Sequence, residues 1–325
     1  MNILGIETSC DETGAAVVKD GRSVLSNTVA TSVSDHEAYG GLIPEIASRK
    51  QLEFIHSVVQ QALREAKTSL DDIDAFAVTR HPGLLGSLLV GLSFTNALSF
   101  ALKKPMIDVN HIQAHLYANC LKEPSSRQPM PELPAIGLIV SGGHTSLYKI
   151  KTWSSFKLLG QTRDDAAGEA FDKVARILDL GYPGGPAIDR LAKQGETKTL
   201  KFAPAKLENS FDFSFSGTKT AVLYHSQRHK ADLDKQKVAY AFQKSVVDIL
   251  VQKSIRACLS QNIRTLLIGG GVAANSTLRA ELTRACQAQH IKLSIPPMSY
   301  CMDNAAMIAG LAYHAIQSNP RQRIQ

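Results

Sequence analysis

Two histidines four residues apart, His111 and His115 in His-Ile-Gln-Ala-His, are the residues whose spacing suits chemistry most directly. On a helix they stand one turn apart on the same face and can grip one metal ion; as core or capping residues they would carry no chemistry. Ile112 sits where a His-Glu-x-x-His metalloprotease keeps its general base, which weakens a peptidase reading. A third ligand must come from elsewhere. Asp303, in Tyr-Cys-Met-Asp-Asn-Ala-Ala, is the best candidate, just ahead of an Ala-rich helix-like segment where an N-cap is its alternative use. Two nitrogens and a carboxylate with open positions suit Fe(II) or Zn(II), and spacing does not choose between them.

Other candidates lie in turns. Asp11 and Glu12 occupy the polar segment Glu7 to Thr13, where paired carboxylates can bind Mg²⁺ or manage a proton, although exposed turn carboxylates often do neither. Leu266 to Ile268 runs into Gly269-Gly270-Gly271 and then a helix containing Leu278 to Cys286. Glycines there let a ligand approach the backbone, and a helix N-terminus favours an anion. Gly181 to Pro186 and Ser214 to Thr220 read as plain loops, without the spacing of a Walker A motif. Pro82 to Gly91 reads as a turn entering an apolar helix whose glycines serve packing.

The elements that must position these residues alternate short β-branched runs with longer amphipathic segments, an α/β pattern. Ile3 to Ile6 and Gly14 to Val18 flank the first polar turn; Ile136 to Val140 and Ser146 to Ile150 flank Ser141 to Thr145. This duplicated strand–turn–strand predicts two similar lobes facing a shared cleft, each offering backbone N–H groups to a ligand. Helices are predicted over Pro44 to Ala66, with a stripe at Leu52, Ile55, Val59, Ala62 and Ala66, and over Lys235 to Leu259, striped at Val238, Phe242, Val246, Ile249 and Lys253. The Pro-rich segment Glu123 to Pro134 marks the lobe boundary, giving lobes over 1–130 and 131–299, with 300–325 returning to the first.

Composition narrows the class. A chain of 325 residues, 44% hydrophobic, buries a full core and suits two domains. Apolar runs such as Leu84 to Leu92 fall short of the ~20 residues that span a bilayer and are broken by Gly or polar residues, and no export signal opens the chain, so a membrane association is not expected. Five cysteines without a Cys-x-x-Cys pair fit neither a disulfide framework nor a thiolate zinc site and suit a reducing cytoplasm. The net charge of +7 is spread over Arg49-Lys50, Lys103-Lys104, Lys198 to Lys206, Arg228 to Lys230 and Arg321 to Arg323. Such a balance is compatible with a polyanion such as tRNA without requiring one.

Taken together, these segments resemble the TsaD family, from Ile3 to about Gly310. The collinear residues include Gly5 to Thr13, Gly40-Gly41 with Pro44-Glu45 and Ala47 to Arg49, His111 with His115, and Val140 to Thr145. They continue with Asp164 to Lys173, Tyr182 to Pro186, Asp212 to Gly217, Gly269 to Val272 and Asp303-Asn304. The resemblance implies a two-lobed, actin-like and sugar-kinase-like fold with a duplicated mixed sheet, and a metal held by His111, His115 and Asp303. It implies that Ile139, Val140, Ser141, Gly142, Gly143, Asp172, Gly185, Asp189 and Asn275 contact an adenylate. The activity implied is transfer of a threonylcarbamoyl group from threonylcarbamoyl-adenylate to N6 of the adenosine following the anticodon, in tRNAs reading codons that begin with A. Bacterial members work with a paralogous non-catalytic subunit and a small ATPase. Asp11 or His144 would take the amine proton. Two departures stand out: Arg80 and His81, where the family has small residues, and an end at Gln325 ahead of the family's usual C-terminal tail.

A phosphotransferase of the same fold, a metalloprotease and a non-catalytic ATP-binding partner are the competing readings. The kinase needs no His-x-x-x-His, the protease lacks its glutamate, and the partner has no use for all three metal ligands.

Overall fold

The computed structural model describes residues 1–37, 42–196, 199–204, 207 and 209–318; Gly40-Gly41, Lys198, Lys206 and Arg321 to Arg323 lie outside the described residues. The chain divides into two compact units, Met1–Pro131 with Pro296–Gln325, and Glu132–Ile295.

The first unit runs β1 (Asn2–Glu7), β2 (Glu12–Lys19), β3 (Ser23–Thr31), α1 (Val33–Glu37), α2 (Pro44–Glu65), β4 (Ala75–His81), α3 (Leu85–Leu102), β5 (Met106–Asn110) and α4 (His111–Tyr117). Its sheet has the order β3-β2-β1-β4-β5, antiparallel through the hairpins and parallel from β1 through β4 to β5. The second unit runs β6 (Ala135–Val140), β7 (Thr145–Thr152), β8 (Ser155–Gln161), α5 (Ala167–Ile177), α6 (Gly184–Ala192), α7 (Ser216–Arg228), α8 (Lys235–Ser260), β9 (Thr265–Gly269), α9 (Ser276–Ala288) and β10 (Lys292–Ser294). Its order, β10-β9-β6-β7-β8, repeats the first sheet strand for strand. The chain then returns to the first unit as α10 (Ala305–Ser318).

Both faces of the first sheet are covered, so β1 and β2 are buried almost end to end rather than alternately. Helix α2 packs on β2 and β3, α3 on β4, and α10 on β1 and β2. Gly5 makes the last contact possible: a Cβ there would lie 2.8 Å from the Ala309 backbone nitrogen.

Three details differ from expectation. Leu52 is 65% exposed, and the buried stripe of α2 runs instead through Ala47, Gln51, Ile55, Val58, Val59 and Ala62. Gly184 and Ser216 open helices α6 and α7 where plain loops were expected. Helix α3 extends past the Leu84 to Leu92 run to 18 residues, and by length and composition alone it could cross a membrane. It also carries buried Ser87 and Thr95, and a Cβ at Gly91 would collide with Thr8.

Candidate functional site

In the first unit the parallel strands β1, β4 and β5 end side by side, and each delivers a polar residue there: Glu7, Thr79 and His111. Helix α4 starts directly after β5 because the Asn110 side chain caps it, accepting from Gln113 N at 3.0 Å. His111 and His115 therefore stack one turn apart, ring centroids 4.6 Å apart and edge to face. The capping alternative for Asp303 is resolved by its neighbour. Asn304 Oδ1 accepts from Met307 N at 3.0 Å and caps α10, leaving the Asp303 carboxylate 3.1 Å from His115 Nε2 and 3.5 Å from His111 Nε2.

Donor atoms of His111, His115 and Asp303 lie within 4.8 Å of one another, the one such group among the described residues. His115 is 1% exposed, yet neither ring nitrogen makes a hydrogen bond; the approach to Asp303 lacks the alignment of one. Buried polar atoms are rarely left this way, and a cation between the imidazoles and the carboxylate would satisfy His115 Nε2, the nitrogen turned toward Asp303. The residues present fit a metal ion.

Glu7, which sequence reasoning placed in a motif without a role, sits beneath this group, 1% exposed. Its carboxylate accepts from Ser9 N (2.6 Å), Thr79 Oγ1 (2.6 Å) and His111 Nδ1 (2.9 Å). Burial works against the charged form, but the charge and hydrogen bond of His111 outweigh it and hold Glu7 below the usual carboxylate range. An ionised Glu7 only accepts, so His111 carries its proton on Nδ1 and turns Nε2 toward Asp303, the arrangement that commonly orients a metal-bound histidine. Burial would lower His111, yet Glu7 and Asp303 together raise it to about 9. Burial and then the charges of Asp303 and Asp11 push Glu12 up to about 10. This excess of buried negative charge is what a cation relieves.

Asp11, the candidate proton acceptor, is half-buried in the turn between β1 and β2, with its carbonyl accepting from Ser32 Oγ at 2.9 Å.

The second unit places its candidates at the equivalent strand ends. Ile139 and Val140 are fully buried in β6, so only backbone there can face a ligand. The Ser141 to His144 turn is closed by Ser141 N donating to His144 O (2.8 Å) and His144 N donating to Ser141 Oγ (3.1 Å). Cβ atoms at Gly142 and Gly143 would meet nothing within 4 Å, so this backbone is open to approach. Gly168 N donates to Ser141 O at 3.1 Å, bringing the N-terminus of α5 onto the turn. Gly270, at φ +91°, lies on its other side, against Val140 and Ser141.

Asp172 accepts from Gly184 N at 2.7 Å, fixing the Gly184-Gly185 start of α6; burial raises its carboxyl despite that bond. Asp189 accepts from Ser276 Oγ at 2.9 Å, and Asn275 caps α9 through Leu278 N (2.9 Å) while donating to Gln243 Oε1 (2.8 Å). Gln243, missed in the sequence because it stands among apolar residues of α8, is 3% exposed and continues this chain to Thr277 Oγ1 at 2.7 Å. The motifs around Asp164 and Asp212 join each other instead: Asp164 accepts from Phe215 N (2.8 Å) and Ser216 Oγ (2.8 Å), and Asp212 from Gln161 N (3.0 Å).

The family profile of TsaD, tRNA N6-adenosine threonylcarbamoyltransferase, matches residues 23–310. The chain belongs to this family. Relatives carrying the same name include one from Clostridium botulinum (strain Hall), 51% identical over 317 residues, covering 96% of this chain and 92% of the relative. Another, from Caldicellulosiruptor saccharolyticus, is 52% identical over 316 residues, again covering 96% and 92%. TsaD members are metal-dependent, and His111, His115 and Asp303 are where this chain gathers donors for an ion. Solved structures give the fold. HypF from T. kodakarensis superposes with a TM-score of 0.65 at 12% identity, covering 99% of this chain and 48% of that one. The ROK hexokinase of Thermus thermophilus superposes at 0.52 and 17% identity, covering 98% and 100%. The fold of this TsaD chain is thus the actin-like, sugar-kinase-like one, with two mixed sheets.

Proposed function

We propose that the chain transfers the threonylcarbamoyl group of threonylcarbamoyl-adenylate to N6 of the adenosine following the anticodon in tRNAs reading ANN codons, releasing AMP. The observation that carries this reading is the His111, His115 and Asp303 group, built into a chain of the TsaD family. The three residues hold one divalent ion, Fe(II) in preference and Zn(II) as the alternative. When bound, it supplies positive charge to polarise the carbamoyl oxygen or neutralise the departing phosphate.

The remaining work falls to the chain itself. The exocyclic amine attacks the carbamoyl carbon of a mixed anhydride, the bond to the phosphate oxygen breaks, and a proton leaves the amine. Asp11 accepts that proton. The backbone of Ile139 to Gly143 receives the adenylate, its open glycines admitting the phosphate and its N–H groups facing developing negative charge. Asp172 and Gly185 border the nucleotide through the start of α6, whose N-terminus favours an anion, and Asp189 and Asn275 border it at the start of α9, any Mg²⁺ arriving with the nucleotide. Glu7 orients His111.

A paralogous non-catalytic subunit and a small ATPase are the proposed partners. Leu85, Leu89 and Phe100, exposed by 75%, 53% and 87% along α3, form the apolar face assigned to the former. The five cysteines are all free, in keeping with a reducing cytoplasm.

Mass spectrometry of tRNA nucleosides tests the proposal. The protein, with its partner subunits, is incubated with unmodified ANN-decoding tRNA and threonylcarbamoyl-adenylate. Threonylcarbamoyladenosine is expected with the wild type and absent with His111→Ala. No product from a folded, metal-loaded wild type, alongside an active homologue, overturns it.

A further inference from the structure

Three backbone carbonyls of the turn between β1 and β2 converge on one side chain of α2. Gln51 is fully buried, and its Nε2 lies 2.9 Å from Cys10 O, 3.0 Å from Glu12 O and 3.4 Å from Thr8 O. All three partners accept, so the orientation of the amide is fixed with its NH₂ toward the turn. Its Oε1 is buried with no hydrogen-bond partner. An apolar side chain of similar size would spare that unpaired acceptor but would take the amide donor away from the Cys10 and Glu12 carbonyls.

What the carboxamide does is hold the two carbonyls on either side of Asp11. Ser87 Oγ reaches Cys10 O at 3.3 Å and Ser32 Oγ reaches Asp11 O at 2.9 Å, each gripping one carbonyl from another element. Gln51 alone among the described residues grips both flanks. Thr8 is tied in addition to Ser87 O, at 2.9 Å. A four-residue turn with this many carbonyls in and beside it drawn back onto side chains has little freedom left in how it presents the Asp11 carboxylate.

We propose that Gln51 is a positioning residue for the transfer reaction: its carboxamide sets the Cys10-Asp11-Glu12 backbone so that Asp11 is held where it accepts the amine proton. This rests on the transferase reading and adds to it a residue that touches neither substrate nor metal. Loss of the two flanking bonds should loosen the turn and slow the chemical step while leaving the ion and adenylate held by other residues.

The test compares Gln51→Leu and Gln51→Glu with the wild type in metal content, backbone amide exchange over Cys10 to Thr13, and kcat and KM for the adenylate at saturating tRNA. For Gln51→Leu, exchange in the turn is expected to rise about tenfold or more and kcat to fall about 10- to 100-fold, with KM and metal content unchanged. Gln51→Glu keeps the size and regains one donor when its carboxyl is protonated, so its kcat relative to wild type should rise as pH falls. A folded Gln51→Leu enzyme that melts lower but keeps wild-type kcat overturns the proposal. Should the wild type itself make no product, the transferase reading fails, and unchanged amide exchange in the variant would then refute the brace separately.

Discussion

The two sheets have the same strand order and the same parallel strands at their centres, yet their strand ends are furnished differently. Where β1, β4 and β5 end, the first unit gathers side chains: Glu7, Thr79, His111 and His115, with Asp303 arriving from the far end of the sequence. Where β6 and β9 end, the second unit offers backbone, in the open Gly142-Gly143 turn and the Gly269 to Gly271 loop. One topology can thus supply either charged ligands or bare N–H groups, and the choice lies in a few residues after each strand.

The comparison breaks most sharply if the side-chain group is removed. His115→Ala or Asp303→Ala should abolish stoichiometric metal and lower transfer by about 10³-fold, while circular dichroism stays that of the folded protein. On the backbone side, a Gly168→Val Cβ would lie 2.6 Å from Ser141 O and 2.8 Å from Gly142 Cα, displacing the open turn. The KM for the adenylate should rise about 10- to 100-fold with metal content intact. Glu7→Gln probes the support of His111: chelator competition should show metal affinity reduced about tenfold or more.

Smaller effects separate surface from site. Leu89→Glu with Phe100→Glu should change the melting of the isolated chain by less than about 0.5 kcal/mol while preventing co-purification with the paralogous subunit. The second unit should also respond to acid. Burial raises Asp165, but hydrogen bonds from Lys173 and Lys219, both at 2.7 Å, lower it further, so its folded pKa lies below the ordinary 3.8. Such a carboxyl contributes stability that is present above the unfolded value and lost as pH falls through the folded one. Lys219→Met should therefore move the acid-unfolding transition to higher pH, read by tryptophan fluorescence from Trp153, the chain's one tryptophan, which lies in the second unit.

Much of this was legible in the sequence because it is local. The His-x-x-x-His spacing needs only a helix, and the duplicated strand–turn–strand needs only two short apolar runs on either side of a small polar turn. Asp303 could be named as a ligand candidate, but its release from capping depends on Asn304 taking that role. Glu7 and Gln51 were hidden because their partners are far along the chain: His111 for one, the carbonyls of Cys10 and Glu12 for the other. Leu52 fell on a plausible helical stripe, yet the face of α2 turned to the sheet is centred on Gln51 and Ile55, a rotation that periodicity alone does not set. Gly184 and Ser216 looked like loop residues because helices α6 and α7 gain stabilisation at their starts from Asp172 and Asp164, more than ten residues earlier in sequence.

The most direct test of the central claim is to strip the wild-type protein of metal, restore Fe(II) or Zn(II) in steps, and measure bound metal and threonylcarbamoyladenosine on the same samples. Product should track occupancy up to one ion per chain, and Asp303→Ala should stay flat throughout. Full product from protein shown to be free of metal would contradict the role assigned to His111, His115 and Asp303.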